Sequence, residues 1–454
     1  MKRVLMLLTL AIMLAVAGCV DREADDAQPT AEPATDDQEQ VDYDAAADDD
    51  EPAVDPTPAP DDEATDDDAT DDQPEPVEDV DYSQAVSSTS MFGFDMFTGL
   101  ADADPDENVI TSPYSAAILL TMLLAGADGD TRDAIGEVLH IEDPDDPEIL
   151  RQHQALITEL TEADEDVELA IANSLWANQG TPLEPEYLSE MEDYLGALVE
   201  EIDLGSEDAV DQIDEWVADN TNDRIEEMAE ALGVPDPNMV LILLNAVYFL
   251  ADWTEPFDPD MTDEEAIFTT VSGDEVTVSM MTKDDTHLHA QMDGYQMVRL
   301  PYGDDERFAM DVILPDEESD IHQLREGFDL EEWQQAEADL NEDRVNVAMP
   351  SFELEYDTGG ALNEVLEDLG MGIAYTGEAD FTPISELAPF LSTVVQKTYI
   401  RVDEEGTEAA AVTGGAMVES APPQFRADRP FMIMITDTES GTVLFLGQVT
   451  DPSE

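Results

Sequence analysis

The residues whose types and spacing could do chemistry concentrate near the C-terminus, in Glu404-Glu405-Gly406-Thr407-Glu408-Ala409-Ala410-Ala411-Val412-Thr413. Small residues bounded by acids suit a strand that slides into an existing sheet. Alternate side chains of a strand point to one face, which places Thr407, Ala409, Ala411 and Thr413 together. All four can enter a packed interior without the overpacking that costs about 1–3 kcal/mol per site. Glu408 falls on the opposite face, in water, and Gly406 supplies a permissive joint. The competing reading is an Ala-rich helical turn, since Ala is the strongest helix former. The flanks decide against it. Thr398-Tyr399-Ile400-Arg401-Val402 alternates and is β-branched, a strand running into the segment, while Gly414-Gly415 and Pro422-Pro423 break any helix beyond it. A segment of about twenty residues between two strands, without a period of its own, points to function.

Enzymatic constellations are absent. There is no G-x-S-x-G, no Walker loop and no H-E-x-x-H. The five histidines are His140, His153, His287, His289 and His322. His287 and His289 form an H-x-H pair able to take a metal, but no further His or Cys ligand lies near in sequence. They read as exposed hairpin residues. Carboxylates are so numerous that no acid pair is informative. The expectation is a protein with no catalytic residue, no cofactor and no metal.

The elements that must hold the segment are legible by period. Residues 113–127 and 207–232 read as helices. Residues 239–250, 294–301, 307–315, 344–354, 391–402 and 431–449 read as strands. Helices mixed with many antiparallel strands, without repeats or an internal linker, predict one α+β domain over residues 85–454.

The chain resembles the serpins, the serine protease inhibitor superfamily, at many points in order. EEGTEAAAVT is similar to the serpin reactive-loop hinge. Asn108-Val109-Ile110-Thr111-Ser112-Pro113-Tyr114-Ser115 resembles the segment that opens the family's helix B, and Gly126-Ala127 and Thr131 follow at the expected spacing. Asn173-Ser174-Leu175-Trp176 resembles the strand beneath the sheet opening. Ile213-Asp214-Glu215-Trp216-Val217 resembles the IN-x-WV helix, with Asp for Asn. Leu244-Asn245-Ala246-Val247-Tyr248-Phe249, with Trp253 and Pro256-Phe257, resembles the central strand and its Trp. Leu300-Pro301-Tyr302, Pro350-Ser351-Phe352, Leu369-Gly370-Met371, Asp428-Arg429-Pro430-Phe431 and Gly441-Thr442-Val443-Leu444-Phe445-Leu446-Gly447 complete the order across residues 85–453.

The resemblance implies three sheets, about nine helices and an exposed reactive loop. It also implies suicide inhibition. A serine protease attacks the loop, and the loop's N-terminal half then inserts into the central sheet and distorts the acyl-enzyme. The alternative is a non-inhibitory surface protein on the same fold, with a binding or chaperone-like role. Gly414-Gly415 and a loop one residue short of the family's length speak for that reading. Counting on from Gly406 puts the scissile bond at Ser420-Ala421, and counting back from Pro422-Pro423 puts it at Glu419-Ser420. Met417-Val418 is a third candidate. No Lys or Arg lies between Arg401 and Arg426, which excludes an Arg-requiring protease and favours a subtilisin-like one. By resemblance the sheet-opening control residues are Ser112, Ser115 and Asn245, with Gln396 beside Lys397 where many members have His, and Trp253 at the point of loop entry. A Gln keeps the hydrogen bonds of a neutral His and loses its titration.

Charge and leader complete the reading. The 454 residues hold 113 Asp plus Glu against 15 Lys plus Arg, for a formal charge of -98. That excludes a nucleic-acid partner and electrostatic docking on anionic lipid. The bias runs through residues 101–400 as well as the N-terminal tract, as expected of a protein working in salt concentrated enough to screen self-repulsion. Met1-Lys2-Arg3, an apolar run from Val4 to Ala17 and Val16-Ala17-Gly18-Cys19 describe a signal peptide over residues 1–18 with a lipobox. Cys19, the one cysteine, is then the lipidated N-terminus. Residues 19–84, rich in Asp, Glu, Ala, Pro and Thr, read as a disordered tether. The expectation is a monomer on the extracellular face of the membrane, held only by its lipid.

Overall fold

The computed structural model describes residues 80–164, 167–222, 224–225, 227–387, 389–405 and 423–453. The leader, Cys19 and the tether up to residue 79 lie outside the described residues. Nine α-helices are described: α1 (Ser83–Ala103), α2 (Pro113–Ala125), α3 (Gly129–Val138), α4 (Glu148–Thr161), α5 (Pro185–Leu195), α6 (Glu207–Asn220), α7 (Ile321–Gly327), α8 (Leu330–Ala338) and α9 (Ala361–Leu369). The strands are β1 (Val109–Thr111), β2 (Val167–Asn178), β3 (Leu198–Ile202), β4 (Leu241–Ala251), β5 (Asp263–Thr269), β6 (Glu275–Gln291), β7 (Tyr295–Tyr302), β8 (Phe308–Pro315), β9 (Asn341–Pro350), β10 (Phe352–Asp357), β11 (Leu391–Val402), β12 (Gln424–Arg426), β13 (Phe431–Asp437) and β14 (Thr442–Val449). The α+β expectation holds.

Among the described residues the strands form two sheets, not the expected three. A five-stranded sheet runs β10-β11-β4-β2-β3, and a nine-stranded one runs β1-β14-β13-β8-β7-β6-β9-β12 with β5 on β6. The reason is β6, one uninterrupted strand of 17 residues. It pairs with β5 near its start, with β9 from Met280 to His289, and with β7 from Leu288 to Gln291. A shared backbone carries one hydrogen-bond ladder through what would otherwise be two sheets.

Other boundaries moved for local reasons. The helix expected over 207–232 stops at Asn220. Thr221 Oγ1 donates to Val217 O at 2.8 Å, and Asn222 turns left-handed at φ +49°. Asp214 Oδ1 then accepts from Met228 N at 2.8 Å and Ala229 N at 2.9 Å, which folds the chain back onto α6. The expected strand 431–449 is a hairpin that turns at Gly441, φ +76°. The expected strand 344–354 breaks at Ser351, because β9 belongs to one sheet and β10 to the other.

Helix α2 is buried from Pro113 to Leu124. A helix apolar all round belongs inside a core. It packs on β2 and β4 on one side and on β14 on the other. Its N-terminus therefore ends against the middle of the five-stranded sheet.

Candidate functional site: the β4–β11 seam and its root

The five-stranded sheet holds an unusual join. β11 and β4 run parallel and side by side, paired from Leu391↔Leu241 to Tyr399↔Tyr248. Their other neighbours are antiparallel, β10 to β11 and β2 to β4.

A row of neutral polar side chains crosses the seam. Asn173 lies opposite Asn245, which lies opposite Gln396. Asn245 and Gln396 are wholly buried. Gln396 Nε2 donates to Asn245 Oδ1 at 2.9 Å. Asn245 Nδ2 donates to Asn173 Oδ1 at 2.9 Å and to Ser115 Oγ. The Gln396 amide also meets the peptide of Ser112 in both directions, with Ser112 N donating to Oε1 at 3.0 Å and Nε2 donating to Ser112 O at 3.0 Å. Thr358 closes the row, since its Oγ1 accepts from Gln396 N at 3.0 Å. The structure thus gathers Ser112, Ser115, Asn245 and Gln396 at the N-terminus of α2. It adds Asn173 and Thr358, which sequence reasoning did not assign; the strand register alone predicts Asn173. Lys397 faces the other way, with Nζ donating to Glu227 O at 2.9 Å beside the Glu355 carboxylate.

Trp253 is not part of this row. It sits two residues beyond the end of β4, at the root of the segment that follows β11. Its indole is 3% exposed and stacks on Tyr302 at 4.2 Å with an interplanar angle of 13°. Trp253 Nε1 donates to Asp403 O at 2.9 Å, Trp253 N to Glu405 O at 3.2 Å and Phe257 N to Glu404 O at 2.8 Å. Thr262 Oγ1 donates to Glu404 Oε1 at 2.6 Å. Phe257 and Thr262 are further contacts that sequence reasoning missed. The chain is held bond by bond through Glu405. Gly406, Thr407, Glu408, Ala409, Ala410, Ala411, Met417, Glu419, Ser420 and Ala421 lie outside the described residues.

Behind Trp253 is a cavity of about 510 Å³, whose walls include Phe257, Lys283, His287 and Leu300. His287 and His289 are each 7% exposed, not the exposed hairpin residues expected. The alternation of β6 turns both inward and sends Leu288 out. Burial, then the charge of Lys283, pushes the His287 pKa down to about 4. No group of three or more His, Cys, Asp or Glu among the described residues can hold a metal.

The family model described as Serpin (serine protease inhibitor) matches residues 87–452. The chain belongs to the serpin family. An uncharacterized serpin-like protein of Methanosarcina acetivorans is 32% identical over 390 residues, 82% of this chain and 88% of its own length. The leukocyte elastase inhibitor of Sus scrofa is 33% identical over 387 residues, 81% of this chain and 100% of that protein. The crystal structure of the thermophilic serpin tengpin in the native state superposes with a TM-score of 0.73 at 27% identity, covering 82% of this chain and 95% of that one. For this serpin, then, the parallel seam, its polar row and the Trp253 root lie on a fold shared from archaea to mammals.

Proposed function

We propose that this serpin inhibits a serine endopeptidase as a suicide substrate and is not itself an enzyme. One observation carries the reading: β4 and β11 are parallel neighbours, and the chain leaves β11 at the end of the seam where Trp253 holds it. A strand that starts there and runs back is antiparallel to both. It replaces one parallel ladder by two antiparallel ones, which are the more stable per residue. The small side chains of Thr407, Ala409 and Ala411 fit the interior side of such a strand. Cleavage of the loop removes the restraint that keeps the strand out. Trapping follows if insertion outruns hydrolysis of the acyl-enzyme.

The partner this reading favours is a secreted subtilisin-like protease, cut at Glu419-Ser420 or an adjacent candidate bond. The leader and Val16-Ala17-Gly18-Cys19 support lipid anchoring outside the cell, and the charge of -98 supports a saline medium. The test is Thr407→Arg. Its long cation would have to enter the dry slot beside Trp253 on insertion, while the starting fold is unaffected. The expected outcome is normal folding, near-normal cleavage and loss of the SDS-stable complex with a subtilisin-like protease in high salt. A variant that traps protease with unchanged stoichiometry would falsify the insertion mechanism. The non-inhibitory alternative, supported by Gly414-Gly415, predicts clean cleavage without any complex and an unchanged melting temperature after it.

A further inference from the structure

Acids make up 113 of the 454 residues, about one in four, yet the strand that follows the loop is not acidic. Residues 423–430 hold one acid, Asp428, and two arginines, Arg426 and Arg429. Phe425 is buried between Gln424 and Arg426, which both face solvent. The Arg426 side chain is 47% exposed. Asp428 is shared, accepting from Arg426 Nε at 3.1 Å and from Arg429 Nη1 at 3.2 Å, so the group carries a net positive charge.

The neighbouring strand extends this face. Gln424 lies opposite Asn346, and Asn346 opposite Asp284, so Arg344 shares the face two residues away. Arg344 and Asp284 neutralise one another through paired bonds of 2.9 and 3.0 Å. Glu342 is exposed on the same face of β9, so along the edge formed by β12, β9 and β6 the surplus positive charge is confined to Arg426 and Arg429 at β12, a local exception on an otherwise strongly acidic chain.

We infer that this edge, with Arg426 at its centre, is a docking surface for the target protease, and that the protease carries carboxylates around its substrate cleft. The inference rests on the inhibitory reading and narrows its partner. Arg426 lies six residues beyond Ser420. Six residues span at most about 20 Å fully extended. A standard interface covers about 800 Å² per partner, so an enzyme bound at the scissile bond reaches β12. At molar salt the Debye length is about 3 Å. A partner then feels only the charges it touches: the net -98 does not repel it, and Arg426 does attract a facing carboxylate.

The experiment measures association of the full chain with a secreted subtilisin-like protease whose nucleophilic serine is replaced by alanine. The protease is used in two versions, one with carboxylates around its cleft and one with those groups changed to amides. Arg426→Glu is expected to weaken equilibrium binding to the acidic version several-fold and leave the amide version unchanged, with Arg426→Gln intermediate. Arg151→Glu, an equal charge change at a side chain 46% exposed on α4, is expected to do nothing. Equal weakening against both versions, no weakening, or no binding to either overturns the docking surface. Because the enzyme is inert, its binding is read separately from trapping. Arg426 dependence here without a covalent complex from the active enzyme would remove the inhibitory reading and leave the docking surface standing.

Discussion

The two sheets bury polar groups in opposite ways. The nine-stranded sheet uses charge. Arg299, 8% exposed, donates to Asp311 through Nε at 2.7 Å and Nη2 at 2.8 Å, and Trp333 Nε1 donates to the same carboxylate at 3.0 Å. Arg307 grips the buried Asp437 in the same two-pronged way, at 2.8 and 3.2 Å. The five-stranded sheet crosses its parallel seam with neutral amides and hydroxyls. Separating a buried ion pair strands a charge, whereas separating neutral groups costs about 1–3 kcal/mol for each one left unpaired. The sheet proposed to open is held by bonds that can be broken without leaving a charge in the core.

The largest test of that contrast is Asp311→Asn. It leaves the buried Arg299 guanidinium with the half-buried Glu337, at 3.0 Å, as its remaining charged partner, and the expected loss is at the lower end of about 3–5 kcal/mol, measured as a fall in the denaturation midpoint in high salt. A loss below about 1 kcal/mol would remove the distinction between the sheets.

Next in size is a pH effect beneath the seam. His153 on α4 is 2% exposed and stacks near Tyr114. Thr121 Oγ1 gives its proton to Ala117 O at 2.8 Å, so it accepts from His153 Nε2 at 3.3 Å, and Nδ1 has no partner. Burial pushes the His153 pKa from 6.5 down to about 4. The unfolded chain takes up the proton first as pH falls. Stability from this group is therefore full above about pH 6.5 and declines down to about pH 4, by about 3 kcal/mol. His153→Gln should flatten that part of the stability–pH curve relative to the parent. Parallel curves would show that the site is not dry.

The smallest effect belongs to the seam. Gln396→Leu removes the amide that joins β11 to Asn245 and Ser112, and the expected loss is about 1–3 kcal/mol. The variant should also convert faster to a form whose loop is inserted without cleavage, seen as a slow gain in thermal stability and loss of inhibition. A variant as stable as the parent and as long-lived would show that the row is mere packing.

Much of this was legible in the residues. The parent strands of the seam could be read because Leu241–Ala251 and Leu391–Val402 are apolar, β-branched and bounded by turns. The gathering of Ser112, Ser115, Asn245 and Gln396 followed from the resemblance alone, since nothing in their spacing brings residues so far apart in sequence together. Asn173 and Thr358 were missed because their role comes from cross-strand register, which a single sequence does not display. The end of α6 was missed because helical propensity continues past Asn220, and the turn depends on the Asp214 carboxylate capturing two distant amides. The inward turn of His287 depends on β6 being covered on that face, a tertiary fact.

The single residue between β9 and β10 has a mechanical consequence. Ser351 is where the chain passes from one sheet to the other, and its N–H is anchored to Ser279 O at 2.8 Å. β10 and β11 form a ribbon paired from Phe352↔Val402 to Asp357↔Lys397. Admitting one strand at the seam requires that ribbon to move aside by one strand spacing, about 4.8 Å. The ribbon is moored to the nine-stranded sheet at Ser351, and at the same end Trp253 and Phe257 hold the Asp403, Glu404 and Glu405 carbonyls. Under the proposed insertion the entering strand would meet this ribbon first at its latched edge, with the ion-paired sheet as the frame against which the latch is set.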